Sequence, residues 1–84
     1  MALTRPDLDY GSPEPLYVQA ADHVATLIAK GRLKPGTKFP AERDLADDWQ
    51  IAYGTVRRMM QLLRDRGLII SRQGKGTYVS RLPD

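Results

Sequence analysis

Gly54, Arg57, Arg58 and Gln61 recur at steps of three and four, so one face of a helix would carry them all. Their chemistry is that of a reading surface. An arginine fork offers two parallel donors that match guanine O6 and N7, and a glutamine amide matches adenine N6 and N7. Gly54 adds no side chain, which lets a backbone or groove approach closely, at a cost of about 1 kcal/mol of helix propensity relative to alanine. Tyr53 flanks this face at its N-terminal end, and the Thr55 hydroxyl is placed to bond a phosphate. Unpaired N–H groups at the start of a helix also attract anions. Arg43 lies a short way upstream, where it either reaches the same partner or pairs with Asp47 at i+4. Downstream, Gln73, Gly74, Lys75 and Gly76 form a small basic tip whose glycines permit close backbone approach. The plainer alternative is a solvated basic surface without a partner.

Helices and a hairpin must position these residues. The spacing predicts a first helix from Pro15, with Tyr17, Ala21, Val24, Leu27 and Ile28 on one face and a stop at Gly31. Lys34-Pro35-Gly36 predicts a type II turn, and Thr37-Lys38-Phe39 a short extended segment. A second helix is expected over 41–49, with Leu45, Ala46 and Trp49 inward. A third is expected over 53–66, with Val56, Met59, Met60 and Leu63 buried and Gly67 as its stop. Then the period changes. Leu68–Arg72 and Thr77–Ser80 are rich in β-branched and aromatic residues and flank a glycine-containing loop, which reads as a β-hairpin. The expected fold is mainly α with a small β-hairpin, an α+β winged helix-turn-helix of three helices followed by a two-stranded wing. Residues 1–14 hold Pro6, Gly11, Ser12 and Pro13 without an apolar period and read as a flexible arm. Residues 15–80 form the domain, and 81–84 the start of a linker or tail.

Composition narrows the function classes. The 84 residues suffice for one small domain with a modest core. The absence of cysteine excludes disulfides, zinc–thiolate sites and a cysteine nucleophile. His23 is the only histidine, and Asp47 and Asp48 are helix neighbours that point apart, so no catalytic or metal set is expected, and no cofactor. Trp49 reads as a core anchor. No apolar run reaches membrane-spanning length, and residues 1–7 lack the apolar core of a signal peptide, so a cytoplasmic chain without membrane contact is expected. Net charge is +3, but it is uneven: residues 57–81 carry seven basic side chains against one acidic, whereas residues 1–14 carry one against three. A basic C-terminal third suits a polyanion.

Five segments in order resemble the N-terminal DNA-binding domain of GntR-type transcriptional regulators. They are Pro15-Leu16-Tyr17-Val18-Gln19, Leu33-Lys34-Pro35-Gly36, Pro40-Ala41-Glu42-Arg43-Asp44-Leu45-Ala46, Thr55-Val56-Arg57 and Gly74-Lys75-Gly76-Thr77-Tyr78-Val79. The resemblance covers about residues 15–80. It implies a regulator, expected to be a repressor, that binds double-stranded DNA at a palindromic operator. The intact protein is then a homodimer and the isolated domain a monomer. It further implies that Arg43 and Arg57 contact bases or phosphates, that Thr55 touches the backbone, and that the wing around Gly74 enters the minor groove. Family members continue into an effector-binding domain, so the chain ending at Asp84 reads either as the DNA-binding portion of a longer regulator, the favoured reading, or as an unusually short regulator. The departures cluster at 50–53, where Gln50-Ile51-Ala52-Tyr53 stands for the usual Gly-Val-Ser-Arg. Gln50 is then expected in a left-handed conformation, Ala52 removes a helix cap, and Tyr53 replaces a base-reading arginine. An operator unlike the common family sequence is expected. Two other classes stay open: a winged helix that binds an acidic protein, and a DNA-binding appendage of an enzyme.

Overall fold

The computed structural model describes residues 3–80. The expected linker or tail at 81–84, with Arg81, lies outside them. Three helices, α1 (Leu16–Ala29), α2 (Glu42–Trp49) and α3 (Tyr53–Asp65), precede two strands, β1 (Ile69–Arg72) and β2 (Gly76–Val79).

Each helix follows from its apolar stripe. Ala20, Ala21, Val24 and Leu27 of α1 are buried, as are Leu45, Ala46 and Trp49 of α2 and Val56, Met59, Met60 and Leu63 of α3. These stripes converge on one core, which Leu33, Phe39, Ile69 and Val79 complete. The centre of the assembly is α3, which packs against α1, α2 and β1. Its polar face is therefore held from behind by three elements.

The helix ends share one device. At the end of α3, the Gly67 N–H donates to the Arg64 carbonyl at 2.9 Å and the Leu68 N–H to the Leu63 carbonyl at 2.9 Å. This pair of bonds needs a left-handed residue between them, and Gly67 supplies it at φ 76°. The chain thus turns sharply out of α3 into β1. At the end of α2 the same closure falls on Gln50, with φ 55° and ψ 45°. There the Gln50 N–H donates to the Asp47 carbonyl at 3.3 Å and the Ile51 N–H to that of Ala46 at 3.1 Å. Gln50 is the one non-glycine at positive φ among the described residues, as its place in the helix-turn-helix requires.

The hairpin is antiparallel, with Ile69 opposite Val79, Ile70 opposite Tyr78, Ser71 opposite Thr77 and Arg72 opposite Gly76. Segment 37–39 lies along the other edge of β2. The Phe39 N–H donates to the Thr77 carbonyl at 2.8 Å and the Val79 N–H to the Thr37 carbonyl at 2.9 Å. β2 is thereby paired on both sides, which fixes the base of the wing.

The N-terminal stretch differs from the flexible arm expected of it. Leu3 is 5% exposed and belongs to the core cluster, Pro6 is buried, and Leu8 packs on the core's edge. The His23 Nε2 donates to the Thr4 carbonyl at 2.7 Å, and its ring meets Trp49 edge-on, with centroids 6.2 Å apart. Gln19 accepts from the Asp9 N–H at 2.8 Å and donates to the Glu14 carbonyl at 2.9 Å. An extended, proline-containing segment has no hydrophobic period, so its burial leaves no mark that a periodicity reading detects.

Candidate nucleic-acid interface

The outward face of α3 is held as the spacing predicts. Gly54, Arg57, Arg58 and Gln61 are all exposed. They line one shallow concavity together with Arg64 and Glu42 of α2. A Cβ built on Gly54 would meet no atom within 4 Å, so the fold itself does not demand glycine there. Thr55 is half-buried. Its N–H donates to the Ala52 carbonyl at 3.0 Å, while Val56 donates to the same oxygen at 3.2 Å. Ala52 makes no side-chain cap, so the outermost amides of α3, those of Tyr53 and Gly54, have no side-chain acceptor from it.

Arg43 does not pair with Asp47 among the described residues. Its guanidinium carbon lies 4.6 Å from the centroid of the Tyr53 ring. Arg57 reaches the same ring at 6.0 Å, and Arg58 lies 6.0 Å from the Tyr17 ring of α1. Gln61 donates to the Asp65 carboxylate at 3.0 Å, one helical turn on. One N–H of its amide is therefore engaged, and the second N–H and Oε1 stay open to a partner.

Gln73, Gly74 and Lys75 form the exposed tip of the wing, apart from the α3 face. The Lys75 N–H closes the turn onto the Arg72 carbonyl at 3.0 Å, and the Tyr78 hydroxyl donates to the Lys75 carbonyl at 2.9 Å. These bonds fix the backbone of the tip and leave the Lys75 ammonium outward.

Arg64 is the member of this surface that sequence reasoning missed. It sits 3.6 Å from the Glu42 carboxylate and donates through Nε to Ser71 Oγ at 2.8 Å. Ser71 Oγ in turn lies 3.1 Å from Thr77 Oγ1. The chain of contacts ties α2, α3, β1 and β2 together. Only the helical step from Gln61 pointed to it; its partners are distant in sequence. Among the described residues, ion pairs engage Arg64 and Arg66, the latter with Asp22 at 2.9 Å, and none engages Arg43, Arg57, Arg58, Arg72 or Lys75. The surface therefore presents net positive charge rather than paired charge. No group of three or more His, Asp or Glu residues able to hold a metal occurs among the described residues, nor any helix long and apolar enough to cross a membrane.

Comparison with known proteins agrees with this geometry. The family model described as bacterial regulatory proteins, gntR family, matches residues 16–79. The HTH-type transcriptional regulator SmoD of Agrobacterium fabrum is 40% identical over 74 residues, covering 88% of this chain and 32% of that protein. The mannosyl-D-glycerate transport/metabolism system repressor MngR of Escherichia coli is 41% identical over 66 residues, covering 79% of this chain and 28% of its own length. The chain thus spans about a third of the length of these relatives. YtrA from Sulfolobus acidocaldarius, a GntR-family transcription factor, superposes with a TM-score of 0.86 at 36% identity, over 95% of this chain and 84% of that one. The DNA-binding domain of AraR in complex with operator ORX1 superposes with a TM-score of 0.75 at 27% identity, over 92% of this chain and 99% of that one. The basic face of α3, the glycine-tipped wing and the match from residue 16 to residue 79 together show that the chain belongs to the gntR family of bacterial regulatory proteins and carries its winged helix-turn-helix DNA-binding domain.

Proposed function

We propose that this domain lays α3 in the major groove of duplex DNA and runs its wing along the adjacent minor groove. The observation that carries the reading is the one-sided face of α3. Arg57 and Arg58 stand there without ion pairs among the described residues, beside a glycine that no packing requires. A glycine with open space in front of it suits the close approach of a sugar–phosphate wall. In this reading Arg57 and Arg58 supply bidentate donors to base edges or bond phosphates, and Gln61 reads a base through its open N–H and Oε1. Arg43 joins Arg57 at the N-terminal end of α3. Thr55 and the Tyr53 and Gly54 amides meet a phosphate there. Gln73, Gly74 and Lys75 follow the minor groove, with Lys75 on a phosphate.

The regulator of which this domain is part acts as a repressor, in keeping with the repressors among its relatives. It binds as a homodimer on a dyad-symmetric operator, each copy of the domain reading one half-site. Selection by the domain from a pool of random duplexes should return a defined half-site, with guanine enriched at one or more positions. A pool that stays random would count against sequence-specific reading. Capture of an acidic protein with no duplex binding at low salt would replace this reading by a protein-docking one.

A further inference from the structure

Tyr53 sits between two arginines that belong to different elements. Arg43 is on α2 and approaches the ring at 4.6 Å. Arg57 lies one turn along α3 from Tyr53 and approaches at 6.0 Å, the outer edge of the range in which a ring face attracts a cation. Both arginines are exposed and free of ion pairs among the described residues, so the ring is the contact that restrains them. Tyr53 as a whole is 37% exposed and borders the face that the DNA reading assigns to the major groove. A free arginine side chain loses up to about 2 kcal/mol of rotamer entropy when it is fixed on a partner. An aromatic ring that gathers two guanidiniums before binding removes part of that loss, and it does so without spending its own hydroxyl on DNA.

Resting on the interface proposed above, we infer that Tyr53 is a positioning residue, whose ring holds the Arg43 and Arg57 guanidiniums as one preorganised pair of base-reading forks across α2 and α3. An arginine at position 53 would read DNA directly and would repel its two cationic neighbours. Tyrosine instead reverses the sign of that local interaction and transfers discrimination to Arg43 and Arg57. The site of the sequence departure is thus the site where specificity is set.

The test compares the wild-type domain with Tyr53→Phe and Tyr53→Leu in two measurements. The first is free of DNA: in NMR spectra of the three domains, ring currents should shift the Arg43 and Arg57 Hδ and Hε signals upfield in wild type and Tyr53→Phe, and not in Tyr53→Leu. The second uses the duplex enriched from a random pool by the wild-type domain, set against a random-sequence duplex of equal length. Tyr53→Phe should keep the wild-type ratio of the two affinities. Tyr53→Leu should lower that ratio about tenfold, the size that two exposed cation–π contacts supply, the affinity for the enriched duplex falling further than that for the random one. A general loss of structure would instead lower both affinities together. A Tyr53→Leu ratio equal to wild type overturns the proposal. So does a Tyr53→Phe ratio that falls as far as Tyr53→Leu, because the hydroxyl would then be contacting DNA. A wild-type domain that enriches no duplex overturns the interface reading itself, and the ring-current shifts still decide whether the ring holds the two arginines.

Discussion

Arg64 Nε donates to Ser71 Oγ at 2.8 Å and joins the candidate recognition helix to the first strand of the wing. The bond sets the wing against α3, since the chain between them is only the turn through Arg66, Gly67 and Leu68. Replacing Arg64 and Ser71 by alanine, singly and together, should reveal a coupling of about 0.5–1 kcal/mol in denaturant unfolding. The 3.6 Å contact to Glu42 is part-exposed and adds little to that figure. Strict additivity of the two substitutions would show that core packing and the pairing of β2 with segment 37–39 hold the wing without help from this bond.

Gln50 occupies a left-handed conformation that costs a side-chain-bearing residue about 1 kcal/mol. Gln50→Gly should raise unfolding stability by up to about 0.5 kcal/mol, because the extra chain entropy of glycine offsets only part of the relief. The denaturation midpoint should move up with an unchanged slope. A lower midpoint would mean that the Gln50 side chain supports the turn.

Ala52 has the extended backbone of a helix cap, φ −61° and ψ 138°, but no side chain to bond the first turn of α3. Ala52→Ser and Ala52→Asp should each stabilise the domain by about 1 kcal/mol in the same assay. Their effects on duplex affinity should part: serine leaves it intact, whereas aspartate lowers it by placing a negative charge where a phosphate docks. Equal duplex affinity for the two variants would move the phosphate away from the N-terminus of α3.

The regular parts of the fold were legible because their causes are local. A 3.6-residue apolar period in α3 is written in Val56, Met59, Met60 and Leu63, and all four are buried. The stops at Gly31 and Gly67 likewise depend on residues within one turn, as does the strained Gln50. Most of the exposed face of α3 followed from the same period. What was not legible depends on residues far apart in the chain. Leu3 enters the core beside helices that begin more than ten residues later, and its own segment has no period to betray it. Arg64 meets Glu42 and Ser71, and Arg43 meets Tyr53, only once α2, α3 and β1 have packed. Charge counting places basic residues in a region, whereas tertiary packing decides which of them are tied and which face outward.

The most direct test of the account is a duplex titration of the wild-type domain and the double variant Arg57→Ala/Lys75→Ala across a range of salt concentrations. Counterion release predicts that log affinity falls linearly with log salt, with a slope of about −0.9 for each phosphate neutralised. The double variant should bind more weakly at every salt concentration. If both side chains sit on phosphates, its slope should be shallower by about 2. If Arg57 reads a base instead, the slope should change by about 1 and discrimination between sequences should fall. Affinity that ignores salt and is the same in both proteins would contradict the claim that α3 and the wing together form a DNA-binding surface.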